Sequence, residues 1–282
     1  MSEFGDYSFQ RTYKGKIKAV VLDWSGTLAD AYVIAPAVVF VEVFKSQGVE
    51  ISMEEARGPM GLRKDLHIKK LCEDPIIAAR WKGVKGTEPT QGDVDMMFEE
   101  FVPAQLAVLG KYTDLLPGVK DVLVGLQKEG IKFGASTGFI RSMVDLLLAD
   151  CIKQGFTPDA TVAGDEVVNG ARPAPHMVYK NLDLMDISEI KSVVKCDDTV
   201  SGIGEALNAG CWGVGLVRYS NYMNINSPEE AASLSEAEIK RKMDKTRFIL
   251  VNAGAHYVID SLVELPAVIA DINARLARGE KP

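Results

Sequence analysis

The chain has 282 residues, 47% hydrophobic and 25% charged, a composition typical of a globular protein with one or two domains. The net charge of -7 disfavours a nucleic-acid-binding surface, and no apolar run is long enough to cross a membrane. The four cysteines show no CxxC pairing, which predicts reduced thiols in a cytoplasmic protein. Residues 1–15 are polar, lack the apolar stretch of a signal peptide, and are expected to form a flexible N-terminus.

The first apolar run, residues 17–22, ends at Asp23 and is followed by Ser25, Gly26 and Thr27. Such a run predicts a buried strand of a parallel sheet. Ligands of open α/β sheets bind beyond the carboxyl ends of the strands, so Asp23 lies at a candidate site. Gly26 is expected to open a turn whose backbone N–H groups are free to meet an anion. The alternative is that Asp23 simply closes the strand as a helix cap.

Helical patterns then run without a strand over residues 33–113. They include a capping-box signature at Ser52 and a long helix from Thr90 to Leu109. An all-helical block of this length between sheet elements predicts an inserted cap domain. The α/β core is then formed by residues 16–32 and 114–282.

From residue 114 onward, short strands alternate with helices, which predicts a parallel sheet with right-handed crossovers. Three predicted strands end in polar residues, at Asp23, at Ser136-Thr137 and at Asp197-Asp198. If these strands are neighbours, their carboxyl ends meet at one edge of the sheet, and the coincidence predicts an enzyme site there. Taken singly, Thr137 is equally consistent with a helix cap and Asp197-Asp198 with a turn.

Together, Asp23-x-Ser25-Gly26-Thr27, Ser136-Thr137-Gly138 and Asp197-Asp198 resemble the motifs of the haloacid dehalogenase superfamily. The resemblance implies a Rossmann-like core, an aspartate nucleophile and an acidic pair that holds Mg²⁺. Most phosphatases of this superfamily carry a second Asp at the position of Ser25, which disfavours a phosphomonoesterase. Further motifs resemble the phosphonoacetaldehyde hydrolase branch, among them Pro59-Met60-Gly61-Leu62, Lys64, His67, Arg172-Pro173 and Asp198-Thr199-Val200-Ser201.

The resemblance to this branch implies Mg²⁺-dependent hydrolysis of the carbon–phosphorus bond of phosphonoacetaldehyde. Asp23 is then the nucleophile that forms an aspartyl phosphate, and Lys64 forms a Schiff base with the aldehyde. Schiff-base chemistry favours a lowered pKa for Lys64, which burial under the cap would provide. The metal ligands are expected to be Asp23, the Ser25 carbonyl, Asp198 and Asp197.

The remaining implied roles concern substrate contacts and assembly. Thr137 and Arg172 are expected to contact the phosphonate, and His67, three residues after Lys64, to transfer protons. Substrate contacts are also expected from Ser25, Gly26, Met60 and Gly138. Family members are typically homodimers joined through cap helices, and the apolar stretch from Ile34 to Phe44 is a candidate interface. The alternative is that this stretch packs inside the cap.

Three positions depart from the family pattern. Ser25 replaces Ala, Gly202 replaces an Asp that supports the metal site, and Phe139 replaces Tyr. Asp197, where the family often has Gly, is expected to compensate in part for Gly202. Two alternatives therefore stay open: a phosphatase or phosphotransferase of the superfamily that acts on a small phosphorylated metabolite, and a non-catalytic binding protein.

Overall fold

The computed structural model describes residues 12–168 and 170–282, so most of the predicted flexible N-terminus lies outside the described residues. Within these ranges six strands form one sheet: β1 (Ala19–Leu22), β2 (Lys132–Thr137), β3 (Ala160–Ala163), β4 (Val193–Asp197), β5 (Trp212–Leu216) and β6 (Tyr257–Ile259). Their order is β3-β2-β1-β4-β5-β6, and every neighbouring pair is parallel. The predicted α/β class is confirmed.

The helices fall into two groups separated by β2. Between β1 and β2 lie α1 (Ile34–Ser46), α2 (Met53–Arg57), α3 (Lys64–Glu73), α4 (Pro75–Lys85), α5 (Gln91–Leu109) and α6 (Val119–Lys128). After β2 come α7 (Arg141–Lys153), α8 (His176–Leu184), α9 (Val200–Ala209), α10 (Pro228–Ser233), α11 (Glu236–Asn252) and α12 (Leu265–Ala277). Short 3-10 turns occur at Ala31–Val33, Gly164–Glu166, Ile190–Ser192, Asn221–Met223 and Leu262–Glu264.

The register of the three central strands explains the position of the site. Leu22 of β1 pairs with Ala135 of β2 on one side and with Cys196 of β4 on the other. All four residues of β1 are buried, as expected for a central strand covered on both faces. The polar residues that end these three strands therefore share one edge of the sheet.

Helices α1 to α5 form the predicted helical cap. Its interior is apolar, with the rings of Phe40 and Phe101 stacked at 4.5 Å between centroids. The two chain connections to the core run side by side, because the N–H of Leu116 donates to the carbonyl of Leu28 at 2.8 Å. Paired connections of this kind suit an insertion, and the boundaries at residues 33 and 113 stay our prediction.

Two features bear on expectations from the sequence. The apolar stretch of α1 is largely buried within the chain itself, including Val39, Phe40, Val43 and Phe44. The alternative of packing inside the cap therefore accounts for most of this stretch, and the homodimer stays a prediction. No described helix is both long and apolar enough to cross a membrane.

Candidate active site

Three buried carboxylates meet at the edge of the central strands. Asp23, Asp197 and Asp198 each place an oxygen within 4.8 Å of the others. Burial and the charges of Asp197 and Asp23 raise the pKa of Asp198 well above its usual value. The Oδ2 atom of Asp198 accepts from the backbone N–H of Asn221 at 2.7 Å, whereas its buried Oδ1 has no partner among the described residues. An unsatisfied carboxylate oxygen beside two further carboxylates fits a divalent cation such as Mg²⁺.

Arg172 is buried among three carboxylates. Its Nη2 donates to Asp23 at 2.8 Å and its Nε to Glu205 at 2.9 Å, while Nη1 lies 3.2 Å from Asp197. The Nη2 atom also donates to the carbonyl of Ser136 at 2.6 Å. The neighbouring carboxylates raise the pKa of Arg172 well above its usual value, against the effect of burial, so the guanidinium stays charged. A fixed cation directly beside Asp23 suits the binding of a dianionic phosphoryl group.

A small cavity of about 20 Å³ lies between this edge and the cap. It is lined by Asp23, Ser25, Val33, Pro36, Met60, Gly61, Lys64, Thr137, Gly138, Phe139, Arg172, Asp198 and Thr199. A space of this size holds about one water molecule, so the cap must move to admit a substrate. Larger grooves elsewhere, such as the one of about 630 Å³ beside α11, are open to solvent and contain none of the predicted site residues.

Lys64, the first residue of α3, supplies an amine to this cavity. The residue is only 4% exposed, and its Nζ lies 4.6 Å from the ring centre of Phe139 and 5.8 Å from that of Phe40. Burial, helped by the charge of Arg172 and opposed by Asp23, lowers the pKa of Lys64 from 10.5 to about 8. The lowered pKa expected from the sequence is confirmed, and a substantial fraction of the amine is neutral and nucleophilic near pH 8.

His67 lies behind Lys64 and does not line the cavity. Its ring stacks on Phe40 at 3.8 Å between centroids, and its Nε2 lies 2.8 Å from the carbonyl of Ala56. A carbonyl only accepts, so Nε2 carries the proton and Nδ1 has a free lone pair. Burial and then the charge of Lys64 hold the pKa of His67 well below its usual value. The imidazole is therefore neutral, and the proton-transfer role stays a prediction.

Two glycines allow close contacts between the cap and the core. A Cβ on Gly138 would lie 2.2 Å from the carbonyl oxygen of Leu62, and a Cβ on Gly61 would lie 2.1 Å from the Oγ of Ser201. Only glycine allows such an approach, so Gly138 and Gly61 let the cap close over the core. Thr137, next to Gly138, lines the cavity, and its Oγ1 accepts from the N–H of Phe139 at 3.2 Å. It does not cap the helix that follows, which begins after Ile140.

The expectation for Gly26 is wrong. Its N–H is not free for an anion, because it donates to the carbonyls of Ala29 at 2.8 Å and Asp30 at 3.1 Å. The turn after β1 closes on itself, with the N–H groups of Leu28 and Ala29 both donating to the carbonyl of Trp24. Gly26 does not line the cavity, and its expected contact with the substrate stays a prediction.

The sequence reasoning missed two buried charges beneath the site. Lys195 donates to Asp197 at 2.8 Å and lies 3.7 Å from Glu205, and both Lys195 and Glu205 are fully buried. The signal was present, because Lys195 follows two valines in a predicted strand and Glu205 is the one charged residue of the sequence VSGIGEALNA. Buried charges are rarely tolerated without partners, so each pointed to a buried ionic network.

The sequence analysis also missed a set of contacts, made by Arg57, that joins the cap to the core. Arg57, at the end of α2, donates to the carbonyl of Tyr32 at 2.5 Å, to the Oδ1 of Asn221 at 3.2 Å and to the carbonyl of Ile225 at 2.7 Å. The Nδ2 of Asn221 donates back to the carbonyl of Arg57 at 3.1 Å. Because the N–H of Asn221 also donates to Asp198, these contacts connect the closed cap to the acidic cluster.

Comparison with known proteins agrees with this geometry. A family model for haloacid dehalogenase-like hydrolases matches residues 17–210. A phosphonoacetaldehyde hydrolase-like protein of Syntrophobacter fumaroxidans is 40% identical over 98% of this chain and 99% of its own length. The phosphonoacetaldehyde hydrolase of Klebsiella pneumoniae is 40% identical over 95% of this chain and 99% of its own length.

A solved structure extends the agreement to three dimensions. The crystal structure of a phosphonoacetaldehyde hydrolase-like protein from Oleispira antarctica superposes with a TM-score of 0.94 at 37% identity, over 99% of this chain and 100% of that one. The resemblance thus covers core and cap together. The chain belongs to the phosphonoacetaldehyde hydrolase family of the haloacid dehalogenase-like hydrolases.

Proposed function

We propose that the protein hydrolyses the carbon–phosphorus bond of phosphonoacetaldehyde, giving acetaldehyde and phosphate. The observation that carries the proposal is that Lys64, Asp23 and Arg172 line one cavity, which combines an amine, a nucleophilic carboxylate and an anion-binding cation. The names of the relatives support the same reaction.

The amine addresses the chief difficulty of the reaction, which is that a carbanion leaves phosphorus very poorly. The neutral amine of Lys64 attacks the aldehyde carbon, and loss of water gives a protonated imine. When the carbon–phosphorus bond breaks, its electron pair enters this imine and forms an enamine. Protonation at carbon and hydrolysis of the imine then release acetaldehyde and restore the amine.

Asp23 receives the phosphoryl group. Its carboxylate attacks phosphorus and forms an aspartyl phosphate, and water then attacks this acyl phosphate to release phosphate. Arg172, held beside Asp23 at 2.8 Å, binds the phosphoryl oxygens during both steps. Thr137, Met60 and Gly138 line the same cavity. The hydroxyl of Thr137 would donate to a phosphoryl oxygen, and Met60 and Gly138 would contact the substrate.

The acidic cluster suits a divalent cation. Asp23, Asp198 and the carbonyl of Ser25 would hold Mg²⁺, which would supply positive charge to offset the repulsion between carboxylate and phosphonate. Asp197 lies within reach of the same ion, but its oxygens already accept three hydrogen bonds and form an ion pair with Arg172. We therefore place Asp197 last among the candidate ligands.

The proposal also includes proton transfer by His67, a homodimer and a cytoplasmic location. With Nε2–H donated to Ala56, the ring of His67 has only the Nδ1 lone pair to accept a proton, through a water molecule when the cap opens. The proposed homodimer contacts could use the partly buried Val38 and Val41 of α1 together with the exposed Ile76 and Val84 of the cap. All four cysteines are free and buried, which suits the proposed cytoplasmic location.

The direct test measures acetaldehyde and phosphate released from phosphonoacetaldehyde, with Mg²⁺ and with EDTA. We expect equal amounts of both products, and only with Mg²⁺. p-Nitrophenyl phosphate serves as the comparison substrate. Phosphate release from this ester without any cleavage of phosphonoacetaldehyde would contradict the proposal and favour a phosphatase.

A further inference from the structure

Asp197 differs from the other two carboxylates of the acidic cluster because its lone pairs are already engaged. Its Oδ2 accepts from Lys195 at 2.8 Å and lies 3.2 Å from Nη1 of Arg172. Its Oδ1 accepts from the N–H of Thr199 at 3.0 Å and from the hydroxyl of Thr199 at 2.7 Å. A carboxylate offers about four acceptor sites, so these three hydrogen bonds and the ion pair with Arg172 engage most of its acceptor capacity. Asp198, by contrast, retains a free oxygen.

The carboxylate of Asp197 occupies the space that the side chain of residue 202 would fill. A Cβ on Gly202 would lie 1.8 Å from the Cγ of Asp197 and 2.0 and 2.2 Å from its two oxygens. Gly202 lies in the first turn of α9, where its N–H donates to Thr199 at 3.1 Å. The position of the Asp197 carboxylate therefore depends on the absence of a side chain at residue 202.

Arg172 is the side chain that this arrangement orients. Asp197 meets the Nη1 side of its guanidinium and Glu205 meets Nε, which leaves Nη2 to face Asp23. We propose that Asp197 is a positioning residue that holds Arg172 against Asp23, and that Gly202 is required to accommodate it. The inference depends on the proposed function in one respect, namely that Arg172 binds a phosphoryl group.

The buried charges make this positioning strict. Lys195 lies 2.8 Å from the Oδ2 of Asp197 and 3.7 Å from the Oε2 of Glu205, so a second buried cation also holds both carboxylates that contact Arg172. A side chain at residue 202 would push the Asp197 carboxylate away from both cations. A displacement of about 1 Å in a group that positions a substrate costs about 100-fold in rate.

The first experiment adds one methyl group, as Gly202→Ala. We expect a lower melting temperature and a kcat/KM for phosphonoacetaldehyde reduced about tenfold or more. The matched control is Gly125→Ala in α6, where a Cβ would meet nothing within 4 Å. The control is expected to keep the activity and to raise the melting temperature slightly, because Ala is about 1 kcal/mol more favourable than Gly inside a helix.

The second experiment moves the carboxylate to the helix, as Asp197→Gly with Gly202→Asp. The probe is the affinity for inorganic phosphate, measured by calorimetry with Mg²⁺ present, which needs no phosphonate hydrolysis. We expect Asp197→Gly to weaken phosphate binding about tenfold and the double variant to recover most of the loss. Asp197→Asn, which keeps the shape without the charge, gives a second comparison should Asp197→Gly fail to fold.

Three results would overturn the inference. One is a Gly202→Ala variant that matches the unchanged protein in both stability and phosphate affinity. Another is an equal effect of Gly202→Ala in the Asp197→Gly background, which would place the steric conflict elsewhere. The third is a folded double variant that binds phosphate no better than Asp197→Gly or Asp197→Asn. If the melting temperatures and the phosphate affinities change as expected but phosphonoacetaldehyde is not cleaved, the proposed function fails and the positioning role stands.

Discussion

Replacing Lys64 by Met should make the protein more stable while it abolishes the proposed reaction. Lys64 is 4% exposed, and its ammonium lies against the rings of Phe139 and Phe40. Its pKa falls from 10.5 to about 8, and one pKa unit corresponds to about 1.4 kcal/mol, so charging it in the folded state costs about 3 kcal/mol. Cation–π contacts with the rings of Phe40 and Phe139 stabilise the ammonium by about 0.5–1 kcal/mol each. The free energy of unfolding of Lys64→Met should therefore exceed that of the unchanged protein by about 1–2 kcal/mol.

The stability gained by Lys64→Met should decrease as the pH rises. Because the folded-state pKa lies below the unfolded one, the unfolded chain binds more protons between pH 8 and pH 10.5. The stability of the unchanged protein therefore rises with pH across this window, relative to that of Lys64→Met. The advantage of the variant is full below pH 8 and disappears near pH 10.5.

Urea unfolding of both proteins at pH 7 and pH 9.5, with EDTA present, measures this difference. Lys69→Met is the control, because Lys69 lies on the same helix and is exposed, and we expect a change within about 0.5 kcal/mol. The reasoning is refuted if Lys64→Met is less stable than the unchanged protein at pH 7. It is also refuted if the difference between the two proteins is the same at both pH values.

Three further predictions follow from the same geometry. Asp23→Asn should keep the fold, as measured by circular dichroism. It should retain less than about 1% of kcat in a turnover assay, because an amide cannot serve as this nucleophile. Asn221→Ala removes both side-chain contacts to Arg57 but keeps the backbone bond to Asp198, so we expect a raised KM and faster hydrogen exchange over residues 57–61. Unchanged exchange would contradict a role in cap closure. If the protein is a homodimer, analytical ultracentrifugation should give a mass near twice the chain mass of 30.7 kDa. The mass of a single chain would contradict this prediction.

The sheet and its carboxyl edge were accessible from the sequence because they follow from local patterns. Apolar runs marked the strands, and parallel strands bring their carboxyl ends together whatever the details of packing. Asp23, Thr137 and Asp198 were located in this way, and the structure brings them to one cavity. The helical block was equally visible, since no alternating pattern interrupts it.

The contacts between elements were not accessible, because they depend on how the elements pack. The turn after β1 uses the N–H of Gly26 internally, which a motif of five residues does not reveal. The helical region after β5 divides into α10 and α11, with Ser235 capping the second. The orientation of Arg172 likewise depends on carboxylates from β4 and α9, which lie far from it in the sequence.

The central claim is that Lys64 forms an imine with the substrate, and borohydride trapping tests it most directly. The protein is incubated with phosphonoacetaldehyde, reduced with borohydride and digested, and the modified peptide is identified by mass spectrometry. We expect loss of activity and a reduced two-carbon adduct on Lys64, with none in Lys64→Arg, because a guanidinium does not form the imine. An adduct on another lysine, or substantial carbon–phosphorus cleavage by Lys64→Arg, would contradict the account.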